Sequence, residues 1–177
     1  MVKKFIREVQ DFPIKGVSFK DLSLVFGNPQ LMKTISINTG MYFNTKNIKF
    51  TKVIGIESRG FMLATLISQL YNIPFIMARK PGKLPNKTHT IDINLEYGST
   101  KLEILQDAIE ENDVVLVIDD IIATGGTILG TASLLEDKFK VKKNNICFGF
   151  IADLDYIKTD VKTKLLNEYE CFIAEKL

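Results

Sequence analysis

VVLVIDDIIATGGT, running from Val114 to Thr127, is the stretch from which the fold can be read. Val114 to Ile118 are apolar without alternation, the pattern of a strand buried on both faces of a parallel sheet. Two adjacent acids, Asp119 and Asp120, end the run, and Ala123-Thr124-Gly125-Gly126-Thr127 forms a short turn. Ile128, Ala132, Leu135 and Phe139 then recur at helical spacing, which predicts a helix from near Thr127. Glycines before a helix N-terminus let backbone N–H groups close around an anion, and the helix dipole favours the same charge. Thr124 and Thr127 add hydroxyl donors. Carboxylates beside a phosphate would repel it, so Asp119 and Asp120 suit hydroxyls or a metal instead. A sugar phosphate meets both demands, with its phosphate in the turn and its ring hydroxyls on the two acids. The same residues also read as ordinary turn chemistry. The stretch contains neither the G-x-G-x-x-G fingerprint nor a Walker A loop.

Composition sets the frame around that stretch. A chain of 177 residues suggests one domain with a real core. Its 46% hydrophobic and 25% charged residues are ordinary for a globular protein. A net charge of +2, from 23 basic and 21 acidic residues, gives no electrostatic case for nucleic-acid binding. No apolar run approaches the roughly eighteen residues that a membrane span needs. Arg7, Glu8 and Asp11 near the start do not read as a secretory signal. Cys147 and Cys171 have no metal-ligand spacing and read as free thiols in a reducing compartment, so a cytoplasmic protein is expected.

Towards the N-terminus, Phe5 to Val9 suits a short helix or an extended lead-in, and Asp11 to Ser23 reads as irregular chain rich in Phe and turn residues. There Phe19 either packs onto the core or offers a flat face to a planar ring. A helix is predicted over Pro29 to Phe43. Val53 to Ile56, Met62 to Leu70 and Phe75 to Ala78 make a strand-helix-strand unit, which implies parallel strands. Arg59 and Arg79 each fall just past a strand, at the sheet edge where open parallel sheets bind ligands. Two guanidinium groups there suit a pyrophosphate, which accepts paired hydrogen bonds. From Lys80 to Ser99 the chain changes character: turn residues come first, then Thr90 to Leu95 alternates as one arm of a ribbon with Thr100 to Leu105 as the other, and the stretch of about 82–104 reads as a flap over the edge or as plain surface. A flap would keep water from an activated sugar. His89, the one histidine, reads as a surface residue. Ile146 to Ile151 is a further buried strand, Asp155 to Asn167 a weakly periodic helix, and Cys171 to Ile173 a last edge strand.

VVLVIDDIIATGGT resembles the phosphoribosyl-pyrophosphate (PRPP) motif of the type I phosphoribosyltransferases. The resemblance implies that Ala123, Thr124, Gly125, Gly126 and Thr127 hold the 5-phosphate and that Asp119 and Asp120 bond the ribose hydroxyls. ESRGF, Glu57 to Phe61, is similar to the family's pyrophosphate loop, where Asp more often precedes Ser-Arg. It implies pyrophosphate contacts from Ser58, Arg59, Arg79 and Lys83, and a cis peptide bond near Glu57-Ser58. DFPIKGVSFKDLS, Asp11 to Ser23, resembles the base-binding segment of the adenine-specific members, which implies that Ser18, Phe19 and Lys20 hold adenine. Family members more often carry an aliphatic residue at position 18 and Arg at 20. LEYGSTKLEI, Leu95 to Ile104, resembles the family's flexible catalytic loop, implying a catalytic Glu96 beside Arg59, with Tyr97 next to it in the flap.

Together these imply one type I phosphoribosyltransferase domain over residues 1–177: a mostly parallel sheet flanked by helices, with a flap over its C-terminal edge. The implied reaction is purine salvage, with adenine and PRPP as substrates and AMP and pyrophosphate as products. Mg²⁺ would ride on PRPP itself, with no protein ligands, since Mg²⁺ prefers phosphate oxygens and keeps its waters. The resemblance also implies a homodimer. Two other readings remain open: transfer to hypoxanthine, guanine or xanthine, left open by Ser18 and Lys20, and a non-catalytic regulator that binds PRPP or a nucleotide.

Overall fold

The structure is a computed structural model that describes residues 2–95 and 98–177, so the sequence-based roles of Glu96 and Tyr97 lie outside the described residues. Its centre is a five-stranded sheet built from β3 (Lys52–Ile56), β4 (Phe75–Ala78), β7 (Val115–Ile122), β8 (Ile146–Asp153) and β9 (Glu170–Lys176). The spatial order is β4-β3-β7-β8-β9, and each neighbouring pair is parallel. β8 is buried along its whole length, in keeping with the apolar run from Ile146 to Ala152 that precedes its terminal Asp153. From β3 the chain steps outward to β4, then crosses back to β7 on the other side of β3. The order therefore reverses between β3 and β7, and such a reversal opens a crevice at the strands' C-terminal ends.

Helices cover both faces. α2 (Pro29–Thr45) and α3 (Gly60–Tyr71) bury Leu31, Ile35, Phe43, Leu63 and Ile67 against Val53, Leu116, Ile118 and Ile151. α4 (Gly126–Lys138) and α5 (Asp160–Glu168) bury Ile128, Ala132, Leu135 and Leu165 against Ile54, Val115, Val117 and Phe148. Asn28 caps α2 by accepting from the Leu31 N–H at 3.0 Å, with Pro29 at the first helical position, where its missing donor costs nothing. α5 is shorter than its weak periodicity suggests, because Thr159 caps it and Asp155 to Lys158 stay outside.

Two antiparallel pairs complete the fold. β1 (Arg7–Gln10) and β2 (Ser18–Asp21) pair across the turn-rich segment, so part of what reads as irregular chain is a hairpin, followed by the one-turn helix α1 (Ser23–Phe26). β5 (Thr88–Leu95) pairs with β6 (Gly98–Leu105) as the alternating arms predict. This ribbon is seated rather than free along its base. Arg79 and Glu103 bridge it to the end of β4, and Ile93, Leu102 and Ile104 are buried with the α4 side of the core. His89 is half-buried and packs edge-on against Phe139 at 5.0 Å, so it serves packing rather than a purely solvated surface.

Candidate active site

β7 carries the acid pair further than its apolar run implies. The strand continues through Asp119 and Asp120 to Ile122, so both carboxylates hang from the last part of a strand rather than from a loop. Alternation sends them to opposite faces. Asp119 follows Val115 and Val117, on the α4 side. Asp120 follows Leu116 and Ile118, on the α3 side.

On the α4 side, the turn after β7 encloses a cavity of about 100 Å³ lined by Asp119 and Ala123 to Thr127. Gly125 holds φ +85°, a left-handed conformation that strains other residues. It is the N-cap of α4 and offers no side-chain cap, so the helix's first N–H groups are left for a ligand. Asp119 Oδ1 accepts from the Asp120 N–H at 2.8 Å. Removal of the Asp119 carboxyl from water, with Asp120 beside it, raises its pKa well above the ordinary carboxylate range.

On the α3 side, Asp120 is 3% exposed and meets Arg59, whose Nε lies 2.7 Å from Asp120 Oδ2. The contact is an ion pair without an aligned hydrogen bond, so that oxygen keeps accepting capacity. Burial raises the Asp120 pKa, opposed by Arg59. Arg59 precedes α3 directly after the cis Glu57-Ser58 peptide bond. Its guanidinium carbon also stands 5.2 Å from the centroid of the Phe19 ring. Phe19 in turn meets Phe12 edge-on at 5.1 Å. Asp120, Arg59 and Phe19 thus form one connected row.

Ser18 and Lys20 leave that row. Alternation along β2 puts them on the face opposite Phe19, where the Ser18 hydroxyl donates to Glu8 at 2.5 Å and Lys20 Nζ pairs with Glu8 at 2.9 Å. Their side chains are engaged away from Phe19. Arg79 is engaged as well. Its Nη2 and Nε donate to the two oxygens of Glu57 at 3.0 and 3.3 Å, and its Nη1 donates to the Lys83 carbonyl at 3.1 Å. Those bonds hold the Glu57 carboxyl below its usual range. Lys83 itself is exposed. Glu57 as the partner of Arg79 was invisible in the sequence, since the two are 22 residues apart and meet only because β3 and β4 pair.

A larger hollow of about 680 Å³ lies elsewhere, between α2 and α3, lined by Phe26, Met32, Met62, Leu66 and Leu70. It holds no carboxylate or guanidinium and is remote from the turn. Among the described residues, no three Asp, Glu, His or Cys side chains cluster as a metal cage.

A crevice at a parallel sheet's reversal point, with an uncapped helix N-terminus and hydroxyl-accepting acids beside it, defines an α/β protein for sugar phosphates. A family model described as "Phosphoribosyl transferase domain" matches residues 25–151. The adenine phosphoribosyltransferase of Christiangramia forsetii is 42% identical over 163 residues, 92% of each chain. That of Natranaerobius thermophilus is 41% identical over 175 residues, covering 99% of this chain and 98% of its own. The crystal structure of the Giardia lamblia enzyme complexed with 9-deazaadenine superposes with a TM-score of 0.90 at 30% identity, covering 99% of this chain and 96% of the other. The chain belongs to the adenine phosphoribosyltransferase family of phosphoribosyl transferases.

Proposed function

We propose that the protein makes AMP and pyrophosphate from adenine and PRPP, a purine-salvage reaction. The observation that carries this reading is the single row from Asp120 through Arg59 to Phe19, placed beside the Gly125 turn. The phosphate of PRPP sits in the turn from Ala123 to Thr127, bonded by free N–H groups and the Thr124 and Thr127 hydroxyls. Asp119 and Asp120 accept from the ribose hydroxyls and hold the ring in line. Ser58, Arg59, Arg79 and Lys83 receive the pyrophosphate, with Arg59 also reaching the base pocket. Adenine stacks on Phe19, and backbone groups at 18 and 20 read its edge.

The bond from the anomeric carbon to pyrophosphate breaks as an imidazole-ring nitrogen of adenine bonds to that carbon. The nitrogen's proton leaves, and the departing oxygen keeps the electron pair. Positive charge builds on the sugar ring while negative charge builds on pyrophosphate, so fixed guanidinium groups lower the barrier most. Glu96 is assigned the proton or the developing positive charge. Mg²⁺ carried on PRPP would supply further neutralisation of the leaving group's charge.

The hollow between α2 and α3 supports a homodimer. Met62, Leu66 and Leu70 recur at four-residue spacing along α3, each 41–44% exposed, and such an apolar stripe favours a second copy. Light scattering on the eluted protein measures the mass directly. The two free thiols support a cytoplasmic enzyme.

Turnover with a panel of purine bases, PRPP and Mg²⁺ tests the reading. AMP formation with adenine is the expected result. Product only with 6-oxopurines would shift the substrate, and tight PRPP binding without turnover would make the protein a regulator.

A further inference from the structure

The turn from Ala123 to Thr127 is backed by α5. Its left-handed Gly125 has the backbone of Lys162 directly behind it: a Cβ added at Gly125 would come within 3.1 Å of Lys162 Cα. One residue earlier, the Thr124 carbonyl accepts from the Thr159 hydroxyl at 2.7 Å. The same Thr159 oxygen accepts from the Lys162 N–H at 3.0 Å and so starts α5. One hydroxyl therefore begins a helix and fixes a carbonyl of the turn, using its donor for one and its acceptor for the other.

Fixing that carbonyl has a consequence for its partner N–H. The Thr124–Gly125 peptide bond is trans, so its C=O and N–H point in opposite directions. With the oxygen turned to α5, the Gly125 N–H is turned away from α5. The α5 side is filled by Lys162, which leaves the cavity lined by Asp119 and residues 123–127 as the direction this donor faces.

Lys162 keeps α5 in place. Its side chain is 4% exposed and paired with the equally buried Asp153 at the end of β8. Its Nζ also donates to the carbonyls of Leu154 at 2.8 Å and Ile157 at 3.2 Å. A lysine is seldom buried unless paired in this way. The pair ties the first turn of α5 to the sheet, and Thr159 passes that rigidity to the turn.

We propose that Thr159 is a positioning residue for the phosphate of PRPP, acting through the Thr124 carbonyl, with Lys162 and Asp153 as its anchor. The proposal rests on the reading of the turn as a phosphate site. Thr159→Val keeps the shape and removes the hydroxyl, and Thr159→Ser restores it. For Thr159→Val, KM for PRPP and the inhibition constant of ribose 5-phosphate should both rise about 2- to 10-fold, the reach of one net hydrogen bond. KM for adenine should stay unchanged, and Thr159→Ser should return both PRPP readouts to the wild-type values. A merely structural cap would instead lower the melting temperature and the active fraction, hence kcat, and leave KM for PRPP alone. That pattern, or an unchanged inhibition constant, overturns the proposal. If ribose 5-phosphate fails to compete with PRPP in the wild-type protein, the reading of the turn itself falls and takes the proposal with it.

Discussion

Arg59 Nε lies 2.7 Å from Asp120 Oδ2 while the same guanidinium stands over the Phe19 ring, so one side chain joins the end of β7 to the β1–β2 hairpin. Lysine in its place keeps the charge but loses the planar fork and the stacking face. Arg59→Lys should lower kcat/KM about 100-fold, the scale of removing one preorganised donor from developing charge, and should raise KM for adenine and for PRPP together. Arg59→Met also leaves Asp120 buried without its partner. Breaking a buried pair costs about 3–5 kcal/mol, and roughly 1–3 here, because Arg59 is 35% exposed and partly solvated. Steady-state kinetics and denaturant unfolding measure the two effects separately. An effect on PRPP alone would show that Arg59 does not serve the base pocket.

Ser18 and Lys20 are engaged by Glu8 on the face of β2 turned away from Phe19. Their identities should therefore have little influence on which purine is accepted. Ser18→Ala and Lys20→Met should leave the ratio of kcat/KM for adenine over hypoxanthine within about twofold. Phe19→Ala removes a stacking face worth about 1–3 kcal/mol per base, and KM for adenine should rise at least about fivefold. If Lys20→Met admits 6-oxopurines, the side chain reads the base after all.

The parallel sheet was legible because Val53 to Ile56, Val114 to Ile118 and Ile146 to Ile151 are apolar runs, and the turn after β7 because glycines and threonines sit between a strand and a helix. The end of β7 was not, since two acids look like a strand terminus until parallel pairing with β8 carries the ladder past them. The β1–β2 hairpin was hidden by the turn residues between Asp11 and Gly16, which dominate local propensity. Residues proposed to act through their own type, such as Asp119, Phe19 and Arg59, could be picked out from sequence, and the structure puts Asp119 against the turn and Arg59 against Phe19. Those that act through a partner could not. Glu57 matters through Arg79, and Thr159 and Lys162 through the backbone of the turn, and no spacing rule joins residues that only packing brings together.

Asp119 carries the acid-base consequence. Burial, with Asp120 beside it, raises its pKa in the folded protein above the unfolded value. The folded state then holds the proton more tightly, so the stability cost of the charge is absent below the unfolded pKa and complete above the folded one. Asp119→Asn keeps an oxygen for the Asp120 N–H and removes the charge. Its melting temperature should match the wild type in acid and exceed it increasingly as pH rises towards neutrality, while kcat/KM for PRPP collapses with the loss of a hydroxyl acceptor. Thermal melts across pH give the gap between the two proteins. A gap that stays flat, or one that closes as pH rises, contradicts the burial of that charge.

Gly130 fixes where the ribbon sits. A Cβ there would come within 2.7 Å of Ile93 Cγ1, on the strand that leads towards Glu96. Two opposing effects decide the outcome of Gly130→Ala. Alanine favours the middle of α4 over glycine by about 1 kcal/mol. Overpacking a filled contact costs about 1–3 kcal/mol. The net change in stability should thus be small, at most about 2 kcal/mol unfavourable. Activity should respond more, because Ile93 must yield and the base of the ribbon must shift with it. A several-fold fall in kcat with near-normal melting is the expected result, and Gly130→Val should deepen it. Should both variants melt normally and turn over at the wild-type rate, the seating of the ribbon on α4 has no part in catalysis.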